Sequence, residues 1–371
     1  MIRTAVIGYG GVARSHVRDI DFFRQDNPLR GADDPLVELV ACCDIMPQAR
    51  EAFAEDTGVT AVYDDVARML DEQRPDYVHI ATCADAHLEP VLACAQKGVH
   101  VLCEKPLGTD PAECDQMIAA CDEAGVQFVV SHQRQSCPMY WYVRSLLDEG
   151  IIGRLRYITG GVCDPRGGGP VFHNLGSHLI DAIGIFRRDV QWVSGYCTVD
   201  GRPCTAQDRQ PGDRGAGWVL GDRIDVTVRY GDDVQTNLQF NGDSAKVVFW
   251  TLWGTEGRMA MLGNTFYKCA DPREGVADQW EPIEEPAQPV KTGSGYINPP
   301  DWVHIRQQLG PYPRIFMLRE MFQRMQSGGE HTSSGRVGAI PIEVMQATFL
   351  SHLEGKKIAF PVQERRSVLA R

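Results

Sequence analysis

Thr4-Ala5-Val6-Ile7 runs straight into Gly8-Tyr9-Gly10-Gly11-Val12-Ala13 and then into a segment of helical character from Arg14 to Phe23. Few folds accept that order of apolar strand, small-residue turn and helix. The turn matches G-x-G-x-x-A, in which small residues let a dinucleotide pyrophosphate approach backbone N–H groups at a helix start, where the helix dipole favours an anion. Gly8, Tyr9, Gly10, Gly11, Val12 and Ala13 are therefore candidate cofactor contacts. Glycine-rich turns also occur without a ligand, and the rest of the chain has to decide.

The second apolar run, Val37 to Cys43, ends at Asp44. A carboxylate there can accept from a ribose diol and repel a 2′-phosphate, which points to NAD rather than NADP; the alternative is a helix cap ahead of Pro47. The gap from the glycines exceeds the usual ~20 residues, and the excess falls in a polar stretch, Gln25 to Pro35, expected to be a surface loop. Strands at Thr60–Tyr63, Tyr77–Ala81, Val99–Cys103 and Phe128–Val130 alternate with helices ending near Leu70 and spanning His87–Lys97 and Pro111–Ala124. That alternation predicts a doubly wound parallel sheet over residues 1–130. Thr82 and Asp85, just past a strand end, are placed to border the cofactor, Asp85 equally to cap a helix.

Glu104-Lys105-Pro106 follows the fifth apolar run. Pro106 has no N–H for a continuing ladder, so the backbone turns out of the sheet and displays the lysine at the strand ends, where open α/β sheets bind ligands. Taken alone, the tripeptide reads equally as a solvated ion pair.

After Val130 the segment His132-Gln133-Arg134 leads into an amphipathic helix, Met139 to Glu149, and the texture changes. Arg154–Gly161, Val190–Val199, Asp225–Tyr230, Thr236–Phe240, Val247–Trp253 and Arg258–Leu262 follow as strands without intervening helices, which implies an antiparallel sheet in a separate α+β domain, residues 131–371. A helix built on His173 to Phe186 aligns Asn174, His178 and Asp181 on one face and Leu179, Ile180 and Ile183 on another. Its imidazole is a candidate functional group or a satisfied core histidine. Just before it, Cys163 to Pro170 reads as a flexible lip whose Asp164 and Arg166 can hydrogen-bond hydroxyls; Asn241, Trp250 and Trp253 are further candidates, or sheet packing.

A net charge of -12, with no basic run, argues against nucleic acid or an anionic membrane as partner. No apolar stretch approaches a membrane span and Met1-Ile2-Arg3-Thr4 shows no signal-peptide pattern, so a cytoplasmic location is expected. The 12 cysteines include no C-x-x-C pair and no zinc spacing, so no metal is expected and buried reduced thiols are favoured.

The turn at Gly8, Asp44, Glu104-Lys105-Pro106, the H-Q-R segment at His132 and Asn174-x-x-x-His178-x-x-Asp181 together resemble the glucose-fructose oxidoreductase, inositol dehydrogenase and rhizopine catabolism (Gfo/Idh/MocA) family. The likeness extends through Gly254-Thr255-Glu256-Gly257 to Ile358-Ala359-Phe360-Pro361, nearly the whole chain. It implies an α/β protein: an N-terminal Rossmann doubly wound parallel sheet, plus a C-terminal α+β domain with an open-faced, mostly antiparallel sheet used for substrate and for homo-oligomer contacts, dimer or tetramer. The terminal helix, about 341–354, is left the option of packing back toward the first domain.

The same resemblance implies a nicotinamide in the cleft between domains and a small-molecule substrate, a sugar, glycoside or cyclitol, reacting at one carbinol. Glu104, Lys105 and Gln133 would also border the cofactor, Lys105 would hold the reacting oxygen, and His178 would act as general acid/base. Hydride leaves a secondary carbinol only as its hydroxyl proton is removed, so a base and a nearby cation suit the chemistry. One departure stands out: Asn174 replaces the aspartate that many members carry, and an amide orients an imidazole but adds no charge. Two alternatives remain open: a redox-neutral enzyme cleaving or epimerising glycosides through a transient keto-sugar, and a non-catalytic sugar- or dinucleotide-sensing regulator.

Overall fold

A computed structural model describes residues 1–370 except 25–26, 28–29, 243–245, 271–278 and 293–294, and leaves the side chains of 299 and 300 undescribed. Positions 25, 26, 28 and 29 of the polar connection expected over 25–35 thus lie outside the described residues. By packing the chain forms two compact units, one of residues 1–108, 112–137 and 291–339, the other of 109–111, 138–290 and 340–371. Residues 291–339, which the sequence reading counts with the second domain, belong to the first unit.

The first unit opens with β1 (Ile2–Ile7), α1 (Ala13–Asp21), β2 (Val37–Cys43), α2 (Pro47–Thr57), β3 (Val62–Tyr63), α3 (Val66–Gln73), β4 (Tyr77–Ile80), α4 (Leu88–Gln96), β5 (His100–Cys103), α5 (Pro111–Ala124) and β6 (Phe128–Val130). The strands form one parallel sheet in the order β3-β2-β1-β4-β5-β6. Helices cover both faces of such a sheet, so its strands are apolar on both sides along most of their length; Ala5, Val6, Cys42, Val78, Ile80, Val101, Leu102 and Val129 are fully buried. Strand order reverses at β1 and β4, which opens the crevice at their carboxyl ends.

The second unit continues with α6 (Pro138–Asp148), β7 (Leu155–Cys163), α7 (Gly168–Val171), α8 (Ser177–Ile183), β8 (Val190–Val199), β9 (Arg202–Pro203), β10 (Gln210–Pro211), β11 (Trp218–Val219), β12 (Arg223–Tyr230), β13 (Gln235–Asn241), β14 (Val247–Gly254), β15 (Gly257–Leu262), β16 (Thr265–Ala270) and β17 (Glu281–Pro282). Its main sheet runs β17-β16-β15-β14-β7-β13-β12-β8, with β9 against β8. Neighbours are antiparallel except β7 and β13, which run parallel, so the expected antiparallel sheet is a mixed one. Alternation along β12 buries Ile224, Val226 and Val228 and leaves Arg223 and Asp225 exposed. On the buried side Trp250 packs 5.1 Å from Phe186, and Tyr140 lies edge-on to Phe266 at 5.2 Å.

A short ribbon of β18 (Val290–Thr292) and β19 (Gly295–Ile297) precedes α9 (Pro299–Leu309) and α10 (Ile315–Ser327). Helix α10 covers the parallel sheet by setting Phe322 against Phe23 and Tyr77 at 5.2 and 5.5 Å. Helix α11 (Gly335–Glu354) starts earlier than the expected 341 and accommodates Pro341 within it; β20 (Ile358–Ala359) then adds an edge to β8. Among the described residues no helix is long and apolar enough to cross a membrane.

Candidate active site

Gly8 follows β1 with φ +82, and a Cβ there would lie 2.8 Å from Thr82 Cγ2 and 3.0 Å from the Ala81 carbonyl carbon. Only glycine satisfies both the conformation and the approach of the strand β4 exit. Gly10 and Gly11 are exposed, with open space where a Cβ would stand, and Val12 and Ala13 follow as the cap and first residue of α1. Asp44, at the end of β2, accepts from the Tyr9 N–H at 2.7 Å and the Met46 N–H at 2.8 Å. The carboxylate therefore sits at the rim of the glycine turn, while the cap position of α2 itself is Met46. The Tyr9 ring turns inward, edge-on to Phe53 at 5.1 Å, with its hydroxyl donating to Asp56 at 2.9 Å. Exposed small residues, a helix start and a flanking carboxylate fit a nicotinamide dinucleotide.

Glu104 and Lys105 leave β5 at the same end of the sheet, with the Lys105–Pro106 peptide cis. Lys105 is half-buried. The Glu104 carboxylate is buried and accepts from His16 Nε2 at 2.8 Å and Arg314 Nη2 at 3.0 Å. Burial alone would raise its pKa, but the His16 hydrogen bond and the Arg314 guanidinium hold it well below the usual carboxylate range. Arg314 also donates to Ser131, Ser15 and Asp19 at 2.9, 3.1 and 2.8 Å. Burial and Arg314 push the His16 imidazole down, so a neutral ring donates from Nε2 and must accept at Nδ1 from His79 Nδ1, 2.8 Å away. The buried chain runs His79 to His16 to Glu104, the residue that precedes the lysine.

His132 is fully buried after β6, and burial with the Lys105 ammonium nearby pushes its pKa down to about 3. Gln133 is half-buried at the head of the short helix Gln133–Ser136. Thr82 donates to the Ala86 carbonyl at 3.2 Å, and Asp85 is exposed in the one-turn helix Ala84–Ala86. All twelve cysteines are free thiols, and Cys83 is the exposed one.

In the second unit the histidine helix begins at Gly168, five residues before the expected start, and passes through a π turn, Phe172–Gly176, into α8. A π turn widens the spiral and often marks a working site; it carries Asn174, with His178 on the next turn, both half-buried. Gly168 and Gly169 donate to the carbonyls of Asp222 and Gly221 at 2.8 and 2.9 Å, and Cβ atoms on them would lie 2.6 and 3.1 Å from those oxygens. At the far end Gly176 lets the helix rest on the Phe240 ring.

The segment expected to be a flexible lip is instead tied down. Arg166 grips the buried Asp164 by Nε at 2.8 Å and Nη2 at 2.9 Å, and the Asp164 N–H donates to Asn241 at 3.0 Å. Arg166 Nη1 also reaches Asp213 at 3.0 Å, and Asn174 Nδ2 donates to the same oxygen at 3.2 Å. Asp164, Arg166 and Asn174 are thus brought together by Asp213, a residue sequence reasoning missed. It stands in a turn-rich stretch without periodicity. Trp250 is a core residue, and Trp253 donates to Thr159 at 3.0 Å beneath Arg258. Asp181 is buried. Among the described residues no group of three or more His, Cys, Asp or Glu could hold a metal ion.

A family model described as an oxidoreductase family with an NAD-binding Rossmann fold (GFO_IDH_MocA) matches residues 2–132. D-apiose dehydrogenase of Paraburkholderia graminis is 26% identical over 365 residues, spanning 95% of this chain and 88% of that protein. A 2,7-anhydro-N-acetylneuraminate hydratase of Mediterraneibacter gnavus is 32% identical over 151 residues, 37% of this chain and 40% of that protein. Levoglucosan dehydrogenase, solved with NADH and levoglucosan, superimposes with a TM-score of 0.76 at 16% identity over 97% of this chain and 99% of that one, a likeness of fold.

Proposed function

Because the chain belongs to the Gfo/Idh/MocA family of oxidoreductases, we propose that it transfers a hydride between NAD, in preference to NADP, and a secondary carbinol of a sugar, glycoside or cyclitol. The observation that carries this reading is the strand-end array of the first unit: a glycine turn open to a pyrophosphate, Asp44 at its rim and Lys105 at the end of β5. When bound, the nicotinamide supplies hydride acceptance. Gly8 to Ala13 and the start of α1 hold the pyrophosphate, Thr82 and Gln133 flank it, and Asp44 takes the ribose diol and repels a 2′-phosphate.

Lys105 donates to the reacting oxygen and stabilises the alkoxide as it develops. His178 removes the hydroxyl proton during oxidation and returns it during reduction, a contribution of ~10²- to 10⁴-fold. Asn174 orients a hydroxyl or the imidazole. Glu104 steadies the lysine's backbone, its buried carboxylate fixed by His16 and Arg314 while it accepts the Lys105 backbone N–H at 3.2 Å. Arg166 and Asp164 contact substrate hydroxyls through the outer edge of the guanidinium, which stays 38% exposed. The exposed side of the main sheet supports pairing with further copies of the chain.

Incubation with NAD and a panel of neutral sugars, glycosides and inositols tests the reading: growth of reduced-nicotinamide absorbance supports it, and binding of NAD without product from any of them defeats it. The hydratase relative favours a second reading, chemistry without net redox change, which the same assay reveals as product formed with no reduced cofactor.

A further inference from the structure

Asp213 lies at the tip of the hairpin β10–β11, in a loop closed by Gly212 N–H donating to the Gly217 carbonyl at 2.6 Å. The next residue, Arg214, adopts φ 53, ψ 46, a left-handed conformation that costs a non-glycine residue energy and persists where its surroundings hold it. The strand leaving this hairpin is clamped on the start of the histidine helix through Gly168 and Gly169, which admit the backbone of 221–222 where side chains would stand. The tip is thus fixed with respect to the π turn.

A carboxylate paired with a guanidinium only accepts hydrogen bonds. With Asp213 Oδ2 taking Arg166 Nη1 at 3.0 Å and Asn174 Nδ2 at 3.2 Å, the amide has one workable orientation: NH2 toward Asp213 and Oδ1 on the other side of Cγ. We propose that Asp213 is the positioning residue of the Asn174–His178 helix, fixing the Asn174 amide so that it presents an acceptor, and tying the Asp164–Arg166 pair to the same point. Asn174 then works with its oxygen, receiving an N–H or O–H, and the negative charge of this face resides on the hairpin rather than on the helix.

The proposal rests on the functional reading for its kinetic test, and a second measurement separates the two. Asp213→Ala lowers kcat by about 10-fold or more through misplacement, with KM changed much less; Asp213→Asn, which keeps an acceptor oxygen, retains most of the rate and guards against a folding defect. Asn174→Asp sets two carboxylates face to face, so activity falls and its pH profile moves toward acid, where one is protonated. The double exchange Asn174→Asp/Asp213→Asn restores the donor–acceptor pair and recovers rate. Additive losses in that double variant, or an Asp213→Ala enzyme with unchanged kcat, overturn the proposal. Independently of turnover, the Asn174 side-chain amide resonances in ¹⁵N-labelled protein shift on Asp213→Ala; unmoved resonances overturn it as well, whereas moved resonances in a protein with no sugar turnover leave it standing and remove the functional reading instead.

Discussion

Arg314 reaches Glu104 from 210 residues further along the chain and holds its carboxylate at 3.0 Å in the interior of the first unit. The same guanidinium holds Asp19 at 2.8 Å, so one buried cation compensates two buried anions.

Removing it leaves both carboxylates uncompensated, and breaking a buried pair in this way costs about 3–5 kcal/mol. Arg314→Leu is expected to lower the chemical-denaturation midpoint by a corresponding amount and to weaken NAD binding. Arg314→Lys keeps the charge but loses the fork, and falls between. A variant as stable as the parent would show that Glu104 and Asp19 find other partners.

Lys105→Ala is expected to cut turnover by about 100-fold or more, since a donor aimed at a developing oxyanion contributes on that scale, while NAD affinity changes only a few-fold. Full activity in this variant, measured under saturating NAD, would remove the lysine from the chemistry.

Asp44→Ser removes the charge that repels a 2′-phosphate. The ratio of NADP to NAD affinity, read by fluorescence titration, is expected to rise by about 10-fold or more, as like charges in contact cost several kcal/mol. An unchanged ratio would place cofactor selection elsewhere.

Stability should fall with acid over a window set by buried imidazoles. Burial pushes His132 down to about 3 and His173 to about 4, and lowers His16, His79 and His87 as well. Between those values and the ordinary 6.5 the unfolded chain binds protons that the folded one does not, so the stabilising contribution is whole above 6.5 and declines as pH drops toward 3. Each such group contributes about 1 kcal/mol per pH unit in its window. Melting temperature measured from pH 7.5 to 5 should decline, and a His132→Asn variant should decline less steeply.

Gly8→Ala is expected to lower both stability and NAD affinity, because its Cβ would press on Thr82 Cγ2 at 2.8 Å in a backbone conformation costing about 1 kcal/mol or more. Unaltered affinity would mean that the turn tolerates rearrangement.

The first sheet was legible because strands buried on both faces write themselves as near-continuous apolar runs, as Leu39–Cys43 and Val101–Cys103 do. Six strands of the second unit were legible too, while β16 (Thr265–Ala270) and the two-residue strands were not, and neither was the parallel pairing of β7 with β13, since periodicity fixes a strand and says nothing of its neighbour. The histidine helix read as beginning at His173 because Gly168-Gly169-Pro170 look like loop; the glycines are there for the backbone of 221–222, a contact no local pattern reveals. Arg314 and Asp213 escaped for the same cause. Each acts through a partner dozens to hundreds of positions away, from a segment that carries only turn signals.

Residues 291–339 complete the first unit only late in synthesis. A ribosome that has finished the parallel sheet at Val130 has yet to make the guanidinium that neutralises Asp19 and Glu104. The emerging amino-terminal third must wait, incomplete, for most of the polypeptide to be translated before its interior can close around those charges.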